Sequence, residues 1–180
     1  MKITHRADII VDDYQFADTL NNEVRVLLDK GCMAIGKDRS NVKASVHTEW
    51  NWEPNNITFK NLKSYIINKI ENKFAPGKLV SGVRWGVKFN DFWANVYEKG
   101  DYALSHCHIP YDYSFVYFVK TKWYYSPLVF SDSGKKVRPK EGRLVIFPSY
   151  LMHHVPVHRY NDYRITLSGN MATQINWRKE

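Results

Sequence analysis

The sequence predicts a mainly β domain of jelly-roll type (a double-stranded β-helix) with two N-terminal α-helices packed on its sheet, and two observations predict it. Apolar residues recur at spacings of three and four up to about residue 76 and at a spacing of two from Val83 onward. The later part then falls into about eight short strands divided by turn residues, with no helix between them. Such a run closes antiparallel, as a jelly roll or another sandwich. The 180 residues show no internal repeat and no linker. The expectation is therefore one domain over 1–180, helical over about 12–76 and with its β core over about 83–170.

The first helix is expected after Asp12 or Asp13 as cap, with Tyr14, Ala17, Leu20, Val24, Leu27 and Leu28 on one face and Gly31 as its stop. A polar loop with Trp50, Trp52 and Pro54 leads to a second helix from about Asn56. Its apolar face is Leu62, Tyr65, Ile66, Ile70 and Phe74, and Pro76-Gly77 ends it. The strands expected next are Val83–Asn90, Phe92–Glu98, Tyr102–His108, Tyr113–Lys120, Tyr124–Ser131, Lys136–Pro139, Arg143–Phe147, Val155–His158 and Tyr163–Asn170.

Hydrophobic residues at 44% with 15% aromatics exclude a disordered chain. No apolar run approaches the 18 or more residues of a membrane span. The charged start, Met1–Asp13, does not read as a secretory leader, and Cys32 and Cys107 have no paired spacing, so a reducing, cytoplasmic setting is expected. The net charge of +8 favours an anionic partner, whether nucleic acid, an acidic protein or a small dicarboxylate. Lys135, Lys136, Arg138, Lys140 and Arg143, between Gly134 and Gly142, are the densest basic stretch and suit a solvated hairpin tip.

Chemistry enters with Ser105-His106-Cys107-His108. On a strand, residues two apart face the same way, so His106 and His108 could converge on one ion that accepts neutral imidazole. His153 is the candidate third ligand, because Gly142-Arg-Leu-Val-Ile-Phe-Pro148 reads as turn, strand and turn, returning the chain beside its start. Its neighbour His154 must face the other way. His5, His47 and His158 lack such a context and read as surface or packing residues.

The spacing Gly100-x5-His106-x-His108, followed by Gly142-x5-Pro148-x4-His153, is similar to the two metal-binding motifs of the cupin superfamily, with Tyr150 where cupins usually have glycine. More fully, the chain resembles a prolyl-hydroxylase-like subgroup of the iron(II)/2-oxoglutarate oxygenases, often found in bacteriophages and marine bacteria. The matching pieces are Trp93-Ala-Asn95-Val, Gly100, His106-x-His108, Ser114-x-Val116-Tyr117, Gly142-Arg-Leu-Val-Ile-Phe-Pro148-Ser149-Tyr150-Leu151-x-His153-x-Val155 and Arg164-Ile-Thr166. They cover roughly residues 83–170.

The resemblance implies Fe(II) on His106, His108 and His153, with 2-oxoglutarate and dioxygen as co-substrates and no catalytic residue beyond the metal site. It also implies hydroxylation of an unknown substrate with release of succinate and carbon dioxide, in a bacterial cytoplasm that a phage could share. Arg164 separates this family from plain cupins, since a guanidinium fork matches the distal carboxylate of 2-oxoglutarate. Thr166, Tyr117, Ser168 and Asn95 are further candidates for the co-substrate. The family's usual triad is two histidines and a carboxylate, so His108 stands where an acid is expected, and Asp112 is kept as a reserve ligand. Two other readings stay open: a cupin-type metal protein that does not use 2-oxoglutarate, and a basic module contacting nucleic acid through Lys135–Lys140 and Trp123-Tyr124-Tyr125. The primary substrate, whether peptide, nucleotide or metabolite, and the oligomeric state are not legible.

Overall fold

The computed structural model describes residues 6–29, 41–52, 54–74 and 83–177. In chain order the elements are β1 (Ile10–Asp13), α1 (Ala17–Asp29), β2 (Val42–Lys43), β3 (Val46–His47), α2 (Ile57–Phe74), β4 (Val83–Tyr97), β5 (Tyr102–His106), β6 (Tyr113–Lys120), β7 (Leu128–Phe130), β8 (Lys136–Val137), β9 (Arg143–Pro148), β10 (His153–Val155) and β11 (Arg164–Trp177). The strands form two antiparallel sheets. The larger runs β1-β9-β6-β11-β4-β3 and the smaller β2-β5-β10-β7-β8, so the expected jelly roll is present.

Alternation along the larger sheet divides its side chains between two environments. Leu144 and Ile146 of β9, Tyr117 and Val119 of β6, Ile165 and Leu167 of β11, and Ala94 and Val96 of β4 join Leu20 and Val24 of α1 and Leu62, Ile66 and Ile70 of α2 in one core. The two helices thus cover one face of the sheet, as their apolar stripes predict. Phe118, Val145 and Phe147 on the opposite face meet Leu128 and Phe130 of the smaller sheet. At 25 cal/mol per Å², each fully buried aliphatic or aromatic side chain contributes roughly 1.5–3 kcal/mol. The space between the sheets that this second core leaves open holds the polar residues considered below.

Some boundaries differ from expectation for local reasons. Asp12 and Asp13 do not cap a helix. They lie in β1, paired with Leu144 and Arg143 of β9, and Asp13 takes ion pairs from Lys140 and Arg143. Two cations of the basic stretch are therefore already engaged. Asn56 does cap α2, its Oδ1 accepting the backbone N–H of Phe59 at 3.0 Å. The break expected after Asn90 is a bulge within one long strand: β11 pairs Asn170 with Asp91 and Met171 with Phe89, leaving Asn90 as the extra residue. His47 and His158 are buried packing residues. His5, Gly31, Cys32 and Pro76-Gly77 lie outside the described residues.

Gly169 shows how tightly β11 is set between its neighbours. A Cβ added there would lie 2.4 Å from the Asp91 carbonyl oxygen and 2.6 Å from Phe115 Cε1. Gly169→Ala is expected to cost about 3 kcal/mol, because a backbone oxygen cannot give way as a side chain can. Denaturant titration would read this as a lower midpoint with an unchanged slope. No helix among the described residues is long and apolar enough to cross a membrane.

Candidate metal centre

β5 and β10 are neighbours in the smaller sheet, and their register places His153 directly opposite His106. Facing residues on antiparallel strands are near enough for their rings to meet, and the two ring centroids are 4.5 Å apart. His108 comes by a different route from the one expected. β5 ends at His106, and the backbone N–H of His108 donates to the Ser149 carbonyl at 2.8 Å, in the turn between β9 and β10. Its ring centroid lies 5.0 Å from that of His106 and 5.1 Å from that of His153. One ligand atom from each of the three lies within 4.8 Å of the others.

Two of the three rings carry hydrogen bonds that would suit them to coordination. Nδ1–H of His106 donates to the Leu104 carbonyl at 2.7 Å, and Nδ1–H of His153 to the Leu151 carbonyl at 2.9 Å. Each bond fixes the tautomer that leaves Nε2 with a free lone pair. Burial pushes the His153 imidazole down to about 4 and lowers His106 as well, so both are neutral near pH 7. Ser149, which anchors His108, is itself held. Its hydroxyl shares a hydrogen bond with Ser114 Oγ at 2.7 Å, Ser114 donates to Asn170 Oδ1 at 2.9 Å, and Asn170 Nδ2 donates to Asp91 Oδ2.

The three rings open onto a cavity of about 440 Å³ between the sheets. From the larger sheet come Asn95 of β4 and Arg164, Thr166 and Ser168 of β11, with Asn95 opposite Thr166 in register. Arg164 is 1% exposed. Its guanidinium lies 4.9 Å from the Tyr97 ring and 5.1 Å from that of Phe118, and its Nε and Nη1 have no hydrogen-bond partner. Burial pushes its pKa down to about 10, with Tyr97 opposing, so it stays cationic at neutral pH. Asn95 Oδ1 is likewise buried without a partner. Buried polar atoms are rarely left so, and a cation with two spare donors on a cavity wall is suited to pairing with an anion.

Two sequence candidates stand elsewhere. Tyr117 points away from the cavity, among the residues under α1, where its hydroxyl donates to Asn21 Oδ1 at 2.9 Å. Its neighbour Val116 is the cavity residue, because strand parity allows only one of the two to face inward. Tyr117→Phe is accordingly expected to cost about 1 to 2 kcal/mol of stability, leaving Asn21 unsatisfied, and to leave binding in the cavity unchanged. A thermal melt with a ligand titration separates the two effects. Asp112 is exposed, and its Oδ2 accepts the backbone N–H and hydroxyl of Thr173 at 2.7 and 2.8 Å, so it is spent on the β6–β11 edge rather than available to a metal. His154 faces outward, its Nδ1 at 2.9 Å from Ser131 Oγ.

Sequence reading missed Tyr97 as a cavity residue, although it shares a face with Asn95 and stands opposite Arg164. It also gave no role to Cys107, a free, half-buried thiol on the cavity wall. The Trp93–Asn95–Tyr97 alternation is the signal that could have found the tyrosine.

The jelly roll brings three convergent histidines to one side of the cavity and a buried arginine with two unpaired nitrogens to the other, a group that could hold a metal ion beside one that could pair with an anion. Residues 129–170 match the family model described as "Putative 2OG-Fe(II) oxygenase", which bears out the family resemblance read from the motifs. No curated protein matches the chain significantly. Among solved structures, the viral collagen prolyl hydroxylase of Paramecium bursaria Chlorella virus-1, in complex with 2-oxoglutarate, is 13% identical with a TM-score of 0.66 over 92% of this chain and 94% of that one. A Pseudomonas putida prolyl-4-hydroxylase is 15% identical, with a TM-score of 0.67 over 92% of each chain. A Trichoplax adhaerens prolyl hydroxylase, solved with a hypoxia-inducible-factor peptide, is 13% identical with a TM-score of 0.64, covering 91% of this chain and 83% of that chain. The shared fold extends through the N-terminal helices as well as the β core.

Proposed function

We propose that the chain is a single-domain iron(II)- and 2-oxoglutarate-dependent dioxygenase in which His106, His108 and His153 hold the metal and Arg164 holds the co-substrate. The observation that carries this reading is the guanidinium of Arg164, buried with two unused donors in the cavity that the three imidazoles face. A metal protein of the cupin type that does not bind a dicarboxylate has no need of such a group. The residues fit both partners: neutral imidazole suits Fe(II), and the arginine fork suits the far carboxylate of 2-oxoglutarate.

Bound iron would supply dioxygen activation coupled to decarboxylation of the keto acid, with hydroxylation of a C–H bond and succinate and carbon dioxide as co-products. The chain's own part is orientation. The Nδ1–H bonds to Leu104 and Leu151 hold two imidazoles in one tautomer. The Ser149 carbonyl holds the third. Arg164 and Thr166 on one strand face fix the distal end of the keto acid, and Asn95 and Ser168 line the same wall. Phe147, Leu128, Val155 and Phe115 exclude water from the space between. The Trichoplax prolyl hydroxylase of the same fold was solved with a peptide fragment, and a peptide side chain could reach this cavity past the half-exposed Trp50.

The test is anaerobic reconstitution with Fe(II), followed by 2-oxoglutarate and then air. A weak visible charge-transfer band should develop on adding the keto acid, and succinate should form once air is admitted. Metal binding with no band and no succinate would favour the cupin-type alternative. Salt-sensitive polynucleotide binding that survives His153→Ala would favour the nucleic-acid module.

A further inference from the structure

The three imidazoles are not held alike. His106 and His153 face each other on paired strands, and His153 pairs with Phe130 of β7 on its other side. His108 lies beyond the end of β5, in the stretch of chain that leads to β6. A ligand carried on such a segment must be ordered when a metal binds, unless the fold has ordered it beforehand.

One residue clasps that segment. Ser149 accepts the His108 backbone N–H on its carbonyl at 2.8 Å and donates its own N–H to the Asp112 carbonyl at 2.9 Å. From the Ser149 side chain runs a series of hydrogen bonds whose direction follows from counting protons. Asn170 Nδ2 donates to Asp91 Oδ2 at 2.9 Å, which turns the Asn170 Oδ1 toward Ser114. Ser114 gives its single proton to that oxygen at 2.9 Å, so across the 2.7 Å between the two hydroxyls Ser149 is the donor. Asp91 also holds the Tyr111 hydroxyl in a side-chain hydrogen bond, and the Tyr111 backbone N–H donates to the His108 carbonyl at 3.0 Å. The bonds therefore close a ring, from His108 through Ser149, Ser114, Asn170, Asp91 and Tyr111 back to His108. Ser114, Ser149 and Asn170 are buried, and none of these five partners of His108 lines the cavity. Buried polar groups linked in this way favour one arrangement, because opening one bond strands its neighbours.

We infer that Asp91, Asn170, Ser114, Ser149 and Tyr111 are positioning residues that preset His108 as the third metal ligand by holding the segment that carries it. This rests on the metal reading proposed above. With the ring broken, His106 and His153 keep their strand positions while His108 has to be ordered by the metal itself, so affinity falls toward that of a two-histidine site.

The experiment titrates the full chain with cobalt(II), followed by the visible ligand-field spectrum and by calorimetry, at a temperature where circular dichroism shows each variant folded. Ser114→Ala and Asp91→Ala should each bind cobalt at least about tenfold more weakly than the parent, and Asp91→Asn, whose side-chain oxygen still accepts from Asn170, should stay within about threefold. In a His108→Ala background, Ser114→Ala should weaken cobalt binding no further, so the double-mutant cycle is non-additive. A purely structural ring would lower the denaturant midpoint of the metal-free variants and leave the cobalt affinity of the folded proteins unchanged. Unchanged affinity in Ser114→Ala and Asp91→Ala, or equal losses with and without His108, overturns the inference and leaves the metal site standing. A loss in Asp91→Asn as large as that in Asp91→Ala overturns it as well. A parent protein that does not bind cobalt overturns the functional reading together with the inference. Should Ser114→Ala fail to fold or His108→Ala hold no cobalt, the Asp91→Ala and Asp91→Asn pair decides alone.

Discussion

Arg164→Met is expected to abolish the response to 2-oxoglutarate while leaving the metal-loaded protein as stable as the parent, or more so. The two halves of this result have one origin. In the absence of an anion, a guanidinium 1% exposed with Nε and Nη1 unpaired is a destabilising feature, because its hydration is lost and not replaced. Apolar replacement of a buried charge commonly stabilises by about 1–4 kcal/mol. The flanking Tyr97 and Phe118 rings, at 4.9 and 5.1 Å, return roughly 2 kcal/mol of that as cation–π attraction, so the net gain should be small. On the proposed reading, the same two donors find acceptors when 2-oxoglutarate binds. At a concentration one hundred times its dissociation constant the ligand then stabilises the parent by about 2.7 kcal/mol, and the variant not at all. Arg164→Lys keeps the charge but not the planar fork and should bind at least about tenfold more weakly. Thermal melts of the metal-loaded proteins with and without the keto acid read all three. A ligand-induced shift preserved in Arg164→Met, or a variant several kcal/mol less stable than the parent, would remove Arg164 from the co-substrate role.

The sequence is most legible where its pattern is most constrained. Gly142 to Pro148 reads as a strand between turns and is one, and the change of period at Val83 coincides with the start of β4. Facing placement of His106 and His153 followed from that, although the strand carrying His153 runs His153–Val155 rather than the expected Val155–His158. β10 owes its length to pairing with β5 and β7 on both sides, which no local pattern reports. β2 and β3 are two residues each and exist only because β5 and β4 offer them an edge. A period of two cannot be seen in two residues.

Strand parity failed for a different reason. Tyr113–Lys120 has apolar residues on both faces, one under the helices and one between the sheets, so nothing in its composition says whether Val116 or Tyr117 looks into the cavity. On β11 the same two faces carry different chemistry, with Arg164, Thr166 and Ser168 on one and Ile165 and Leu167 on the other, and there the assignment to one face was readable. Asp112 looked available because sequence spacing cannot reveal that Thr173, some sixty residues later, would take its carboxylate. His108 reached its expected place through the Ser149 carbonyl rather than through the pleat of β5, a tertiary hydrogen bond standing in for a local one.

His153→Ala should weaken metal binding by more than about 100-fold, the upper end of what is lost when only an outer hydrogen-bond partner of a ligand is removed. The ring is 4% exposed and in edge contact with Phe147 at 4.8 Å, so no water-filled gap stands ready to take its place on the metal. In the metal-free protein the same ring makes stability depend on pH. Burial holds its pKa at about 4, against an ordinary histidine value of 6.5 in the unfolded chain. Between these values the unfolded state binds the proton that the folded state refuses. Stability is therefore full above 6.5 and falls as pH drops through that window, by on the order of 3 kcal/mol. His106, shifted the same way by burial, adds to the loss. Denaturant midpoints of the metal-free parent should drop between pH 7 and pH 4.5, and those of His153→Ala should drop less. Equal acid sensitivity in the two proteins would mean that the ring takes up its proton without leaving the folded core, and its place as a neutral, preformed metal ligand would fall with it.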